Sequence, residues 1–133
     1  ATLDNGRKIG GYAACAWYSV GRYRYQCGGS FPFNLTKRHK YNKRTYHQDS
    51  SASFSYQHWI YDRSNYGPTW GGGHDWYVSS NMTTGYCNLG HDYTCRTGTN
   101  HNYSGYGDGN CRNDFCGSYN SWKITELETW YKG

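Results

Sequence analysis

Aliphatic side chains are scarce in this 133-residue sequence, which has one Met, four Phe and few Leu, Ile or Val. That scarcity excludes a core of the usual aliphatic kind. The buried volume must come from 16 Tyr and 6 Trp, whose hydroxyl and indole groups need hydrogen-bond partners once they leave water. Blocks of Ala, Leu and Glu are also missing, so a helical bundle is not expected, whereas aromatic excess with 18 Gly points to many short strands and turns. No apolar run is long enough for a membrane span or a signal peptide. A chain beginning at Ala1 without methionine is then expected to be a mature, processed, soluble form. The sequence contains no H-E-x-x-H helix motif, no serine in a nucleophile elbow and no C-x-x-C pair, so the familiar zinc, hydrolase and dithiol motifs are absent.

What is present fits an oxidising compartment. Six cysteines (Cys15, Cys27, Cys87, Cys95, Cys111 and Cys116) in so short a chain suggest disulfides. Three N-x-S/T sequons, at Asn34, Asn81 and Asn102, suggest a secreted, extracellular glycoprotein. We expect Cys15 to pair with Cys27, across two strands, and the late four to pair among themselves. A nested Cys87–Cys116 and Cys95–Cys111 arrangement would clamp the polar stretch between them, although sequence does not choose among the pairings. The net charge of +5 is concentrated at Lys37, Arg38, Lys40, Lys43 and Arg44, with Arg22 and Arg24 as further contributors. A solvated hairpin tip accounts for such a run, with binding of anionic matrix or sulfated glycans as the functional alternative. The compartment disfavours nucleic acid as a partner.

Residues 1–133 read as one domain without linker or repeat. Asp4-Asn5-Gly6 is a hairpin-turn signal, and strands are expected over 9–15, 22–25, 30–35, 41–46, 53–61, 76–78 and 121–131. The stretch Tyr66-Gly67-Pro68-Thr69-Trp70-Gly71-Gly72-Gly73-His74-Asp75 is the most specific feature, since three consecutive glycines beside a Pro-Thr turn imply a tight backbone crossing.

That block occurs in order with Ile9-Gly10-Gly11-Tyr12, Ser30-Phe31-Pro32-Phe33-Asn34-Leu35, Cys87-Asn88-Leu89-Gly90, Gly117-Ser118-Tyr119 and Glu126-Leu127-Glu128-Thr129. Together they resemble the TLDc domain family over nearly the whole chain, without the usual N-terminal helical portion. The resemblance implies a mostly all-β, two-sheet antiparallel β-sandwich with little helix, in which the last strand lies inside the domain. It transfers no catalytic residue. The intracellular partners of the family, among them the vacuolar proton pump, do not suit a chain with six cysteines and three sequons.

Several residues invite a chemical role. His74-Asp75 and His91-Asp92 are dipeptides that could ligate a metal only in a turn, because neighbours on a strand point to opposite faces; structural hydrogen bonds are the better account. Asp108, Asn110 and Asp114, with Asn113, offer oxygens to calcium, but turn formation explains the same composition. No other cofactor is suggested. Glu126 and Glu128 share a strand face, as paired carboxylates of a glycosidase would, yet a structural strand accounts for them. The aromatic surplus carries more weight, because more rings are present than a small core needs. Trp59, Trp70 and Trp76, with His74 and Asp75, are the candidate surface for stacking on sugars, the alternative being a core built of rings. The expected function is non-catalytic, lectin-like recognition of extracellular glycans; the alternative is a matrix, mucus or adhesive protein that self-assembles into filaments.

Overall fold

Short alternating runs of aromatic and polar residues become short strands. The computed structural model describes residues 1–42, 58–90, 92–93 and 109–131. In chain order the elements are β1 (Thr2–Leu3), β2 (Ile9–Tyr12), β3 (Arg22–Arg24), β4 (Phe31–Asn34), β5 (His39–Lys40), β6 (Ile60–Asp62), β7 (Thr69–Trp70), β8 (Trp76–Val78), β9 (Gly85–Cys87), α1 (Gly109–Phe115) and β10 (Ile124–Glu126). All their pairings are antiparallel. The strands form a five-stranded sheet ordered β3-β6-β7-β8-β9, a three-stranded sheet β2-β4-β5, and the pair β1-β10. The mostly β, antiparallel, disulfide-bonded architecture is the one expected. The β1-β10 pair is an addition to the two-sheet description.

The two larger sheets meet at Gly11 of β2. A Cβ there would occupy the space of the Trp70 indole, so only glycine lets the strand lie against that ring. The Trp70 Nε1–H donates to the Tyr12 carbonyl at 3.1 Å, which ties the same contact by a polar bond. Behind it the core is aromatic. Trp70 stacks on Trp76 at 4.6 Å between centroids, and Trp76 meets Phe115 edge-on at 5.5 Å; Phe115 in turn meets Tyr41 at 5.0 Å. Leu3, Ile9, Ile60, Val78 and Leu89 fill the remaining space. The buried hydroxyls are satisfied. Tyr41 donates to Asp114 Oδ2 at 2.7 Å and Tyr93 to the Trp59 carbonyl at 2.8 Å, and burial, the leading cause at both, raises both phenols well above their ordinary range.

Disulfides join Cys15 to Cys27 and Cys87 to Cys116. Cys111 is also disulfide-bonded, and Cys95 lies outside the described residues. Cys15 and Cys27 sit in the connections after β2 and β3 and not on the strands themselves, a correction to the cross-strand placement. Among the described residues no helix is long and apolar enough to cross a membrane. The disulfides fit an oxidising compartment.

Two other expectations change. The stretch read as turns around Cys111 and Cys116 contains α1, because Cys111 and Phe115, four apart, put one apolar face against the core. The C-terminal strand contracts from residues 121–131 to Ile124–Glu126. Among the described residues it pairs with β1, Ile124 packs on the core and its amide donates to the Thr83 carbonyl at 2.8 Å, and the residues after it face water.

The end of α1 also corrects a glycosylation expectation. The last carbonyls of a helix lack partners within it, and here distant side chains supply them. Asn34 Nδ2 donates to the Phe115 carbonyl at 2.9 Å, Arg7 to that of Asp114 at 2.7 Å, and Asn5 to that of Cys116 at 2.7 Å. Asn34 is fully buried, and its Oδ1 accepts from the Lys37 amide at 2.9 Å, so its amide nitrogen has no room for a glycan. Asn81 remains exposed, its Oδ1 accepting from the amide and hydroxyl of Thr83 at 3.0 and 2.9 Å. Asn102 lies outside the described residues. We expect peptide mass mapping of protein made in a secretory host to find Asn34 unmodified. Asn34→Ala should lower stability by about 1–3 kcal/mol, as loss of a buried hydrogen-bonding group does, read as a shift in denaturation midpoint without a change in slope.

Candidate functional site

The alternation of the five-stranded sheet decides which rings face water. Residues that send Ile60, Trp70, Trp76 and Cys87 inward leave Tyr61, Thr69, Tyr77 and Tyr86 on the outer face, in register with one another and with Tyr23 on β3. Tyr23 lies opposite Tyr61, and Tyr77 lies opposite Tyr86. The small Thr69 on the central strand leaves a gap in this row. Tyr66, from the β6-β7 connection, bridges it, with ring centroids 5.2 Å from Tyr61 and 5.1 Å from Tyr77. His74 lies beside the bridge, 4.8 Å from Tyr61 and 5.0 Å from Tyr66.

The row continues at both ends. Tyr86 meets Tyr119 at 5.2 Å, and the Arg112 guanidinium lies 4.3 Å from the Tyr119 ring. At the other end Tyr23 meets His58 at 4.4 Å, and His58 meets Tyr25 at 5.4 Å. The result is an unbroken belt of half-exposed rings across the sheet, with Tyr25 and Tyr119 exposed at its limits.

The glycine block positions His74. Between β7 and β8 the chain turns so tightly that Gly71, Gly73 and His74 all have positive φ, at 79°, 62° and 61°. A Cβ at Gly71 would strike the Asp75 carboxylate as well as strain the backbone. Asp75 is completely buried, and its Oδ2 accepts from the amides of Asp92 and Tyr93 at 2.8 and 3.0 Å. Asp92 accepts in turn from the Gly72 amide, and the Tyr23 hydroxyl from the Gly73 amide at 3.2 Å. The turn is held from beneath by carboxylates and from above by the belt. His74 is thereby pushed outward while Asp75 points inward, a division made by the turn's backbone, since Asp75 and its neighbour Trp76 are both buried.

The other candidates fall in different places. Trp70 and Trp76 are each only 3 % exposed, so the sugar-stacking surface expected of them and of Asp75 is corrected: these three belong to the interior, where the indoles stack on one another. Trp59 packs half-buried against that core. Of the five, His74 reaches the outer face. The tyrosines were not singled out from sequence, although the alternation of 22–25 and 76–78 carried the signal.

Asp114 makes an ion pair with Lys37 and accepts from Tyr41, so its oxygens are engaged by an ammonium and a phenol. Asp108 and the side chain of Asn110 lie outside the described residues. Among the described residues no three His, Cys, Asp or Glu side chains converge as metal ligands. In the basic run, Arg38 is exposed and Lys40 lies 4.0 Å over the Phe31 ring, while Lys43 and Arg44 lie outside the described residues. Arg24 is withdrawn from it by a 3.0 Å bond to buried Asp62. His91 also lies outside the described residues. Glu126 and Glu128 occupy the exposed edge, accepting from Thr2 at 3.3 Å and Trp130 at 3.0 Å.

Fold and face together define an antiparallel β-sheet module carrying an aromatic outer surface. The TLDc domain matches over residues 3–133, and the chain belongs to the TLDc family. No curated protein and no solved structure matches it.

Burial lowers the pKa of His74 from its ordinary 6.5. A histidine so shifted stays neutral in the fold but takes up a proton more readily in the unfolded chain. Its contribution to stability is complete above pH 6.5 and is lost as pH falls from there through its lowered folded value. We expect stability to decline below that pH, and His74→Gln to flatten part of the decline in denaturation curves measured across the range.

Proposed function

We propose that this chain is an extracellular, non-catalytic binding module that recognises glycans through the belt Tyr23, Tyr61, Tyr66, His74, Tyr77 and Tyr86. The observation that carries this reading is the continuity of half-exposed rings on a rigid sheet. Sugars present apolar C–H faces and hydroxyl edges, and phenol rings with their hydroxyls offer a partner to each. The rings are held by strand register and by a turn anchored on buried carboxylates, so little order has to be imposed on binding. The exposed placement of Glu126 and Glu128 supports a non-catalytic reading, since paired-carboxylate chemistry draws on environments that set the two groups apart.

A second reading, self-assembly into filaments, is favoured by the C-terminal edge. Trp130 and Tyr131 are 86 % and 97 % exposed, and Leu127 is also exposed, in the segment that follows β10. Exposed apolar side chains grouped in this way mark association surfaces.

A glycan array run beside sedimentation analysis separates the two. The first reading expects saturable sugar binding, weakened roughly tenfold by Tyr66→Ala or Tyr77→Ala, each loss corresponding to about 1.4 kcal/mol. Growth into long particles that ignores sugar and disappears on Trp130→Ser would replace it with the second. Intact protein that neither binds nor assembles would sink both.

A further inference from the structure

The belt is cationic as well as aromatic, and its charges are placed at particular points. Arg63, exposed beside β6, donates from Nη1 to the Tyr61 hydroxyl at 3.1 Å, so its guanidinium lies at the rim of the ring row. Arg112 lies over Tyr119 at the far end, with Nε and Nη2 both donating to Asn88 Oδ1, at 3.0 and 2.8 Å. Between these ends the rings Tyr61, Tyr66, Tyr77, Tyr86 and Tyr119 follow one another at 5.2, 5.1, 5.1 and 5.2 Å. Such a row matches a short chain of sugars and not a single one.

The negative charges lie beneath the ring row or away from it, each with partners of its own. Asp4 accepts from the Lys123 amide, Asp62 from Arg24, Asp75 from the amides of Asp92 and Tyr93, and Asp92 from the Gly72 amide. Asp114 is engaged by Lys37 and Tyr41, while Glu126 and Glu128 lie on the C-terminal edge. Asp92 also lies 3.4 Å from His58 Nδ1, beneath the end of the belt away from Arg112, and among the described residues no carboxylate pairs with Arg63. A ligand on the belt meets the Arg63 guanidinium at one rim, the Arg112 guanidinium over Tyr119 at the far end, and a molecule of net charge +5 behind it.

We propose that the belt selects acidic oligosaccharides bearing uronate carboxylates, with Arg63 as the specificity-determining residue; this rests on the glycan-binding reading above. The sugar faces lie on the phenol rings, and a carboxylate is gripped at the Arg63 rim. Guanidinium suits that task because its planar fork offers parallel N–H donors to both oxygens of a carboxylate. The long-range field raises the encounter rate and makes it sensitive to salt.

The test is calorimetric titration with two hexasaccharides of equal length, one of alternating glucuronate units and one neutral. The acidic chain should bind about tenfold more tightly at low salt, the order expected of one charge-assisted pair, and should lose that advantage as salt is raised. Arg63→Gln should abolish most of the preference, read as the ratio of the two affinities, and Arg63→Lys should retain part of it. The paired control Arg38→Gln/Lys40→Gln, on the basic hairpin, should keep the preference intact. Equal affinity for the two chains, or a preference that survives Arg63→Gln, or one lost in the hairpin control, would overturn the inference while leaving glycan binding in place. Binding of neither chain by folded protein would instead overturn the reading on which it rests.

Discussion

A carboxylate buried beneath a glycine turn organises the outer face. Removing the Asp75 charge from water costs several kcal/mol in effective terms unless donors replace the lost hydration, and two backbone amides from residues 92 and 93 do so. Because those donors are backbone groups, the bond fixes the path of one segment against another. It leaves no space for a side chain at Gly71, which explains why glycine is needed there. The compressed turn that results carries His74 in a left-handed conformation, a state that costs about 1–3 kcal/mol and persists only where the surroundings enforce it. Strain at His74 and burial at Asp75 are thus two sides of one arrangement, and the aromatic row above depends on both.

The aromatic core imposes the complementary constraint. With few aliphatics available, the interior is filled by Trp70, Trp76, Tyr41, Tyr93, Phe115 and Trp122, and every phenol among them finds an oxygen. Once Trp70 and Trp76 take the inner face, the period of two commits Tyr77 to the outer one, and the pairing of β8 with β9 commits Tyr86. A slip of one residue would bury the tyrosines and expose the indoles. The Cys87–Cys116 crosslink restrains that possibility from beside the sheet, since it ties β9 to the end of α1.

Composition and motif order made the class of fold legible, while the site was only half legible. The Cys15–Cys27 and Cys87–Cys116 bonds are two of several pairings that sequence leaves open, whereas the glycine block and the strand at 76–78 could be read because each depends on local geometry. The role of Asn34 could not, since a sequon and a helix-capping amide look the same until Phe115, far along the chain, is placed beside it. Helix α1 was hidden for a similar reason: Gly, Asn and Asp spell turns by propensity, and the tertiary burial of Cys111 and Phe115 overrides them. For the belt, the expectation centred on Trp59, Trp70 and Trp76 fails on position. Tryptophan is the stronger sugar-stacking ring, but the sheet register assigned the indoles to the interior and the smaller phenols to the surface.

That assignment has a physical logic. An indole buried against another indole removes a large apolar area from water and asks for one hydrogen bond, whereas a phenol can keep its hydroxyl in water while its ring packs on a neighbour. In a chain poor in aliphatics the larger rings are therefore worth more inside, and tyrosine is the residue that can tile a face without making it a bare apolar patch. The row gains rigidity from ring-to-ring contact and remains wettable at its hydroxyl rim. Three successive glycines, at first a peculiarity of backbone, become the feature that lets a histidine join that row across the gap left by Thr69.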